Sequence, residues 1–211
     1  MNRRNLAASV VSASLALGGC AVSDKGIAAL PDRPVLLTIA DVTVSDGTQY
    51  SVTTGYGPRG AFYKAEYSDR IVHYSTDGET AYSLEGGERT EIPESYIFHI
   101  ESQLFHAQVS EFAELNEGVS MIRSCGTEDA PCREKIGNEG SRFFGVHYRA
   151  LQSDPRTGIP FAILAYRKGQ SPIVARFSDW RTVDGMPLAY RVVVEDGVRT
   201  FDYRYRSIEG L

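Results

Sequence analysis

Short runs of alternating or continuous apolar residues, each closed by a turn rich in Gly, Asp or Pro, fill most of the chain beyond residue 34. Residues 35–44 end at Asp46-Gly47, and 50–54 end at Gly55-Tyr56-Gly57-Pro58. Residues 61–67 precede Ser68-Asp69, 70–75 precede Asp77-Gly78, and 80–84 precede Gly86-Gly87. Runs this short cannot cross a domain as helices. Asp-Gly and Gly-Gly between them supply the backbone angles that tight hairpins need, so an antiparallel meander is predicted. The same rhythm returns later, at 142–151, 161–167, 172–181, 187–194 and 198–208, with turns at 154–158, Lys168-Gly169, Asp184-Gly185 and Asp196-Gly197.

Between the two blocks the period changes. Pro93 and Glu94 suit a first helical turn, the proline by its fixed φ and the acid by the helix dipole. Ile97, Ile100, Leu104, Phe105, Val109, Phe112 and Leu115 then fall on one side at about 100° per residue, and Gly118 is a stop. One long helix is predicted, with Ser110 the place where it would break. Residues 120–140 are read as a loop. Strands, one helix, then strands give an α+β domain: a curved antiparallel sheet with the helix packed on its concave face.

The chain begins differently. Arg3 and Arg4 precede a short apolar stretch, 6–17, that is too brief to span a bilayer. Leu17-Gly18-Gly19-Cys20 resembles the lipobox of bacterial lipoproteins, in which the cysteine is acylated and becomes the mature N-terminus. The predicted organisation is a signal peptide over 1–19, a lipidated N-terminus and tether over 20–34, and the domain over 35–211. Cys20 is the expected lipid anchor, palmitate among its acyl groups. By resemblance to the sorting rule of enteric bacteria, Ala21 favours the outer membrane, facing the periplasm, over the inner. Arg3-Arg4 also resembles part of a twin-arginine export signal. The formal charge of −5, made more acidic by loss of the two arginines, argues against nucleic acid and against electrostatic docking on anionic lipid. Membrane attachment is expected through acyl chains, and any envelope protein partner is left unspecified.

Cys125 and Cys132 are an even pair once Cys20 is lipidated. In an oxidising compartment they read as a disulfide. A zinc site would need further ligands nearby, and a redox pair is more often spaced C-x-x-C. Gly55-Tyr56-Gly57-Pro58-Arg59-Gly60 fits G-x-G-x-x-G, but a strand-like segment follows where a dinucleotide fold needs a helix. His99 and His106 stand two turns apart, too distant to share a metal, and are read as surface residues. Glu101 and Gln108 interrupt the apolar stripe; a partner from the sheet or a polar contact in a cavity would explain them. No nucleophile elbow, zincin motif or P-loop is found. No cofactor, metal site or catalytic residue is assigned, and no enzymatic activity is expected.

The run Asp69-Arg70-Ile71-Val72 through Asp77-Gly78-Glu79-Thr80-Ala81-Tyr82, then the helix, then Asp154 with Thr157-Gly158-Ile159-Pro160, then 177–187 around Asp179-Trp180 and Asp184-Gly185, resembles the lipoprotein-carrier superfamily. The resemblance implies a half-barrel whose helices close an apolar cavity. Leu104 and Phe105 from the helix, Tyr82, and the strand face of Phe201, Tyr203 and Tyr205 are then the candidate ligand contacts. It implies a lipid-anchored envelope protein that binds an acyl chain, a glycolipid or a lipoprotein anchor. A structural lipoprotein with a filled core is the alternative, and a hydrolase of envelope polymers a third. Cavity volume separates the first two.

Overall fold

A computed structural model describes residues 36–58, 60–114, 119–125, 131–137, 146–167, 169–183 and 185–210. The signal, Cys20 and the tether lie outside them, as do Leu115 and Gly118. The first block forms six strands: β1 (Leu36–Val44), β2 (Gln49–Gly57), β3 (Gly60–Glu66), β4 (Ile71–Thr76), β5 (Ala81–Glu85) and β6 (Glu88–Ile92). Two helices follow, α1 (Ser95–Glu101) and α2 (Phe105–Glu114). The second block is β7 (Val119–Ser124), β8 (Pro131–Ile136), β9 (Val146–Ser153), β10 (Pro160–Arg167), β11 (Ile173–Val183), β12 (Met186–Glu195) and β13 (Thr200–Glu209).

All 13 strands join one antiparallel sheet in the order β6-β5-β4-β3-β2-β1-β13-β12-β11-β10-β9-β8-β7. The chain enters at the middle, meanders to one edge at β6, crosses by the helices to the other edge at β7, and meanders back to pair β13 with β1. The sheet has two edges and is not closed. Alternation decides what faces inward. Val42, Ala40 and Thr38 of β1 lie beside Tyr50, Val52 and Thr54 of β2, and these beside Ala65 and Tyr63 of β3. This inward row makes up the core with Ile100 and Phe105 from the helices. The buried Thr38 and Thr54 hydroxyls bond each other at 2.8 Å, so neither is left unsatisfied.

Aspartates fix the hairpins as the sequence predicts. Asp77 Oδ1 accepts from the N–H of Glu79 and Thr80, and Asp196 Oδ1 from those of Val198 and Arg199. The G-x-G-x-x-G segment is a hairpin, with Gly57 opposite Gly60. Its glycines serve contact: a Cβ on Gly60, where φ is +125°, would stand 1.9 Å from the Thr76 carbonyl oxygen, and one on Gly55 would stand 2.0 Å from the Phe62 ring.

Two sequence readings are corrected, and a third element is added that the sequence did not mark. The single long helix is two short ones, and the break falls at residues 102–104, not at Ser110. There the chain tightens into three-residue bonds, Gln103 N to Ile100 O and Leu104 N to Glu101 O, while Ser102 Oγ donates to His99 O at 2.9 Å. Second, the segment read as a loop carries the β7–β8 hairpin, in which Ser124 faces Pro131 and the Cys125–Cys132 disulfide staples the turn. Third, β6 reads Glu-Arg-Thr-Glu-Ile and has no apolar face to announce it; it is an exposed edge strand, and its charges discourage pairing with another chain.

Candidate functional site

The helices do not fill the concave face. α1 packs against β3–β5 and α2 against β12. Between them and the sheet lies a cavity of about 640 Å³. It reaches the end of the sheet where the β1–β2, β3–β4 and β12–β13 hairpins turn, at Asp46, Arg70 and Arg199.

One wall is aromatic. Strands β2, β3 and β4 present Tyr50, Tyr63 and Tyr74, the β3–β4 turn adds Tyr67, and α1 adds Tyr96 and His99. The Tyr50 and Tyr67 rings stack at 4.7 Å. His99 stands edge-on to Tyr63 at 5.0 Å, and Tyr74 meets Tyr96 at 4.9 Å. Tyr203 Oη donates to Gln103 Oε1 at 2.5 Å. Burial pushes the Tyr50, Tyr63, Tyr74 and Tyr203 hydroxyls above the ordinary tyrosine range. They therefore stay protonated and available as donors. Burial also lowers His99, leaving it neutral near pH 7.

The other wall is aliphatic and short. Ile163 and Ala165 of β10, Ile173 and Ala175 of β11 and Val194 of β12 line it, with Phe105 and Phe201 at its margins. Arg149 of β9 enters beside Ala165, its partner across the ladder, and donates to Gln108 Oε1 at 3.2 Å. The Gln108 amide in turn donates to the carbonyls of Glu101 (3.1 Å) and Ser102 (3.4 Å), the open end of α1. The polar interruption of the stripe is thus a clasp across the helix break. Glu101 contributes its carbonyl to it and is half-buried.

Of the candidate contacts read from sequence, Phe105, Phe201 and Tyr203 line this cavity. Three others do not. Leu104 is buried in the helix break as core. Tyr205 faces inward but lies farther from the mouth, where the His106 ring packs on it at 4.7 Å. Tyr82 is on the outer face: its neighbour Ser83 pairs with the inward Tyr74, so Tyr82 points away, under the Arg89 guanidinium 3.3 Å above its ring. The histidines also differ from expectation. His106 is buried and donates from Nε2 to Ala189 O at 2.8 Å, because the break rotates α2 relative to α1. The aromatic wall was missed. Its signal was available: Tyr63 and Tyr74 are cross-strand partners on successive predicted strands, and Tyr50 shares their face by alternation with Val52 and Thr54.

No protein-family model matches the chain, and no curated protein matches it in sequence. Solved structures do match in fold. A LolA superfamily protein from Nitrosomonas europaea aligns over 86% of this chain and 88% of its own, with a TM-score of 0.58 at 12% identity. A DUF1329 family protein from Desulfovibrio piger aligns over 85% and 87%, with a TM-score of 0.56 at 13% identity. A putative outer membrane lipoprotein-sorting protein domain from Vibrio parahaemolyticus aligns over 82% and 84%, with a TM-score of 0.51 at 9% identity. The domain shares its fold with these proteins.

Proposed function

We propose that this protein is a lipid-anchored envelope protein that takes a hydrophobic ligand, an acyl chain or the acylated part of a larger lipid, into its concave cavity. The cavity carries this reading. About 640 Å³ bounded by Ile163, Ile173, Val194, Phe105 and Phe201 falls within the ~300–1,000 Å³ typical of small-molecule sites. Apolar burial supplies the affinity, at roughly 0.8 kcal/mol per methylene. The likeness in fold to a LolA superfamily protein and to a putative lipoprotein-sorting domain supports a binding role over a catalytic one. A filled core, which a purely structural lipoprotein would have, does not fit a space of this size.

Cys20 is the acylated anchor and residues 20–34 the tether in this reading, on the strength of Leu17-Gly18-Gly19-Cys20. Ala21 supports the outer membrane, facing the periplasm. The test has two arms. Mass spectrometry of protein purified from the envelope should find stoichiometric lipid in the domain, and the delipidated protein should bind a fluorescent fatty acid at micromolar concentration. Cys20→Ser should lose labelled palmitate. Delipidated protein that takes up no chain removes the carrier function; equal palmitate labelling of the mutant removes the anchor.

A further inference from the structure

Among the described residues, arginines and two turn aspartates carry the charge that meets the cavity. Arg70, Arg149 and Arg199 line it against Asp46 and Asp196, a basic balance in a chain whose formal charge is −5. Both aspartates are committed to backbone. Asp46 Oδ1 accepts from Thr48 N at 2.9 Å, and Asp196 Oδ1 from Val198 N and Arg199 N at 2.8 and 2.7 Å. Each holds its hairpin. Arg149 is deep, engaged with Gln108 in the helix clasp.

Arg70 and Arg199 are placed differently. They stand on two hairpins at the mouth, each laid over an aromatic ring that itself lines the cavity. The Arg70 Cζ is 4.4 Å from the Tyr67 ring centre, and the Arg199 Cζ is 5.0 Å from that of Phe201. Stacking holds the planar groups at the entrance and occupies their faces rather than their N–H edges. Arg70 Nη1 also donates to both Asp69 carboxylate oxygens, at 3.3 and 3.2 Å, on the exposed side of the turn, where solvent makes such a pair weak. A guanidinium so held matches a carboxylate or phosphate with two parallel N–H donors.

The apolar part is large enough for a long acyl chain: the cavity measures about 640 Å³, within the ~300–1,000 Å³ of small-molecule sites. Resting on the proposed binding function, we propose that the ligand is an anionic amphiphile, an acyl chain in the cavity and its acid head at the mouth between Arg70 and Arg199.

The delipidated full-length protein, loaded with a fluorescent fatty-acid probe, tests this by displacement. The competitors share one chain length: palmitic acid, 1-hexadecanol, hexadecylamine and hexadecylphosphocholine. Palmitate should displace at least tenfold more effectively than the alcohol or the amine, and more effectively than the zwitterion. In R70Q/R199Q the palmitate-to-hexadecanol preference should collapse toward one, with the thermal midpoint retained because both side chains are exposed. Equal displacement by palmitate and hexadecanol overturns the proposal, as does an undiminished preference in the double variant. In each of those outcomes the cavity still binds a chain, so the carrier function stands; a wild-type protein that no probe enters sinks both.

Discussion

The two walls of the cavity are built from the same sheet on opposite principles. On β2–β4 Tyr50, Tyr63 and Tyr74 face the cavity, their rings packed on one another and on Tyr67 and Tyr96. On β10–β12 the lining side chains are Ala165, Ala175, Ile163, Ile173 and Val194, which have no rings to pack in this way. A tyrosine wall is bulky and locked by its neighbours, so it sets shape. An alanine-rich wall recedes from the helices and leaves space. The volume of the cavity is owed to the short residues, and its outline to the long ones.

The comparison breaks most readily at Tyr203, where the helix break and the start of α2 meet the sheet. Tyr203→Ala should cost about 3–5 kcal/mol, as for other buried aromatics, read from chemical denaturation. Tyr203→Phe keeps the ring on Phe105, 5.2 Å away, and loses only the bond to Gln103, so about 0.5–1.5 kcal/mol is expected. A wall whose two variants cost the same is held by its hydroxyls rather than its rings. On the aliphatic side the effect should be smaller. Overpacking a filled core costs about 1–3 kcal/mol, but Ala175→Leu grows into open volume. Its stability should stay within about 1 kcal/mol of wild type while fatty-acid binding weakens. A large loss of stability there would mean that the space beside Ala175 is not usable.

The smallest effect is expected from acid, and it also divides the walls. Burial holds His99, among Tyr63, Tyr74 and Tyr96, below its ordinary value of 6.5. The unfolded chain takes up that proton first as pH falls. Stability is therefore intact above about 6.5 and declines below it, toward the lowered folded value. His106 is lowered too, by burial that outweighs its bond to Ala189. Thermal midpoints across pH 7.5 to 5 should fall, and His99→Phe should make the fall shallower. An unchanged slope in that variant would assign the acid sensitivity elsewhere.

The sheet was legible because hairpins are local. Asp-Gly pairs at 46–47, 77–78 and 196–197 each mark a turn that the side-chain oxygen then builds. The helix break was not legible, because the apolar period runs through it. What divides α1 from α2 is Gln108 reaching back to two carbonyls and Arg149 arriving from β9, and neither contact leaves a trace in spacing. β6 and β8 failed for the opposite reason: β6 is exposed along nearly all its length, and β8 buries Glu134 where an apolar residue would have marked its inner face. Half of the candidate contacts line the cavity: Phe105 because the helical period gives its facing, Phe201 and Tyr203 because strand alternation gives theirs. Tyr205 shares that facing and differs in depth, which alternation does not encode. Tyr82 differs in facing itself.

The pairing of β1 with β13 has a consequence for how the chain acquires this structure. Every other pairing joins sequence neighbours and can form as soon as both strands exist. β1 gains its second neighbour only when Phe201 and Tyr203 arrive beside Val44 and Val42. Closing so long a loop is slow in entropic terms. Until then the midline of the future sheet is two bare strand edges, able to pair with another chain. The last strand made is therefore the one that ends exposure to aggregation, and loss of β13 would cost far more than one strand of thirteen.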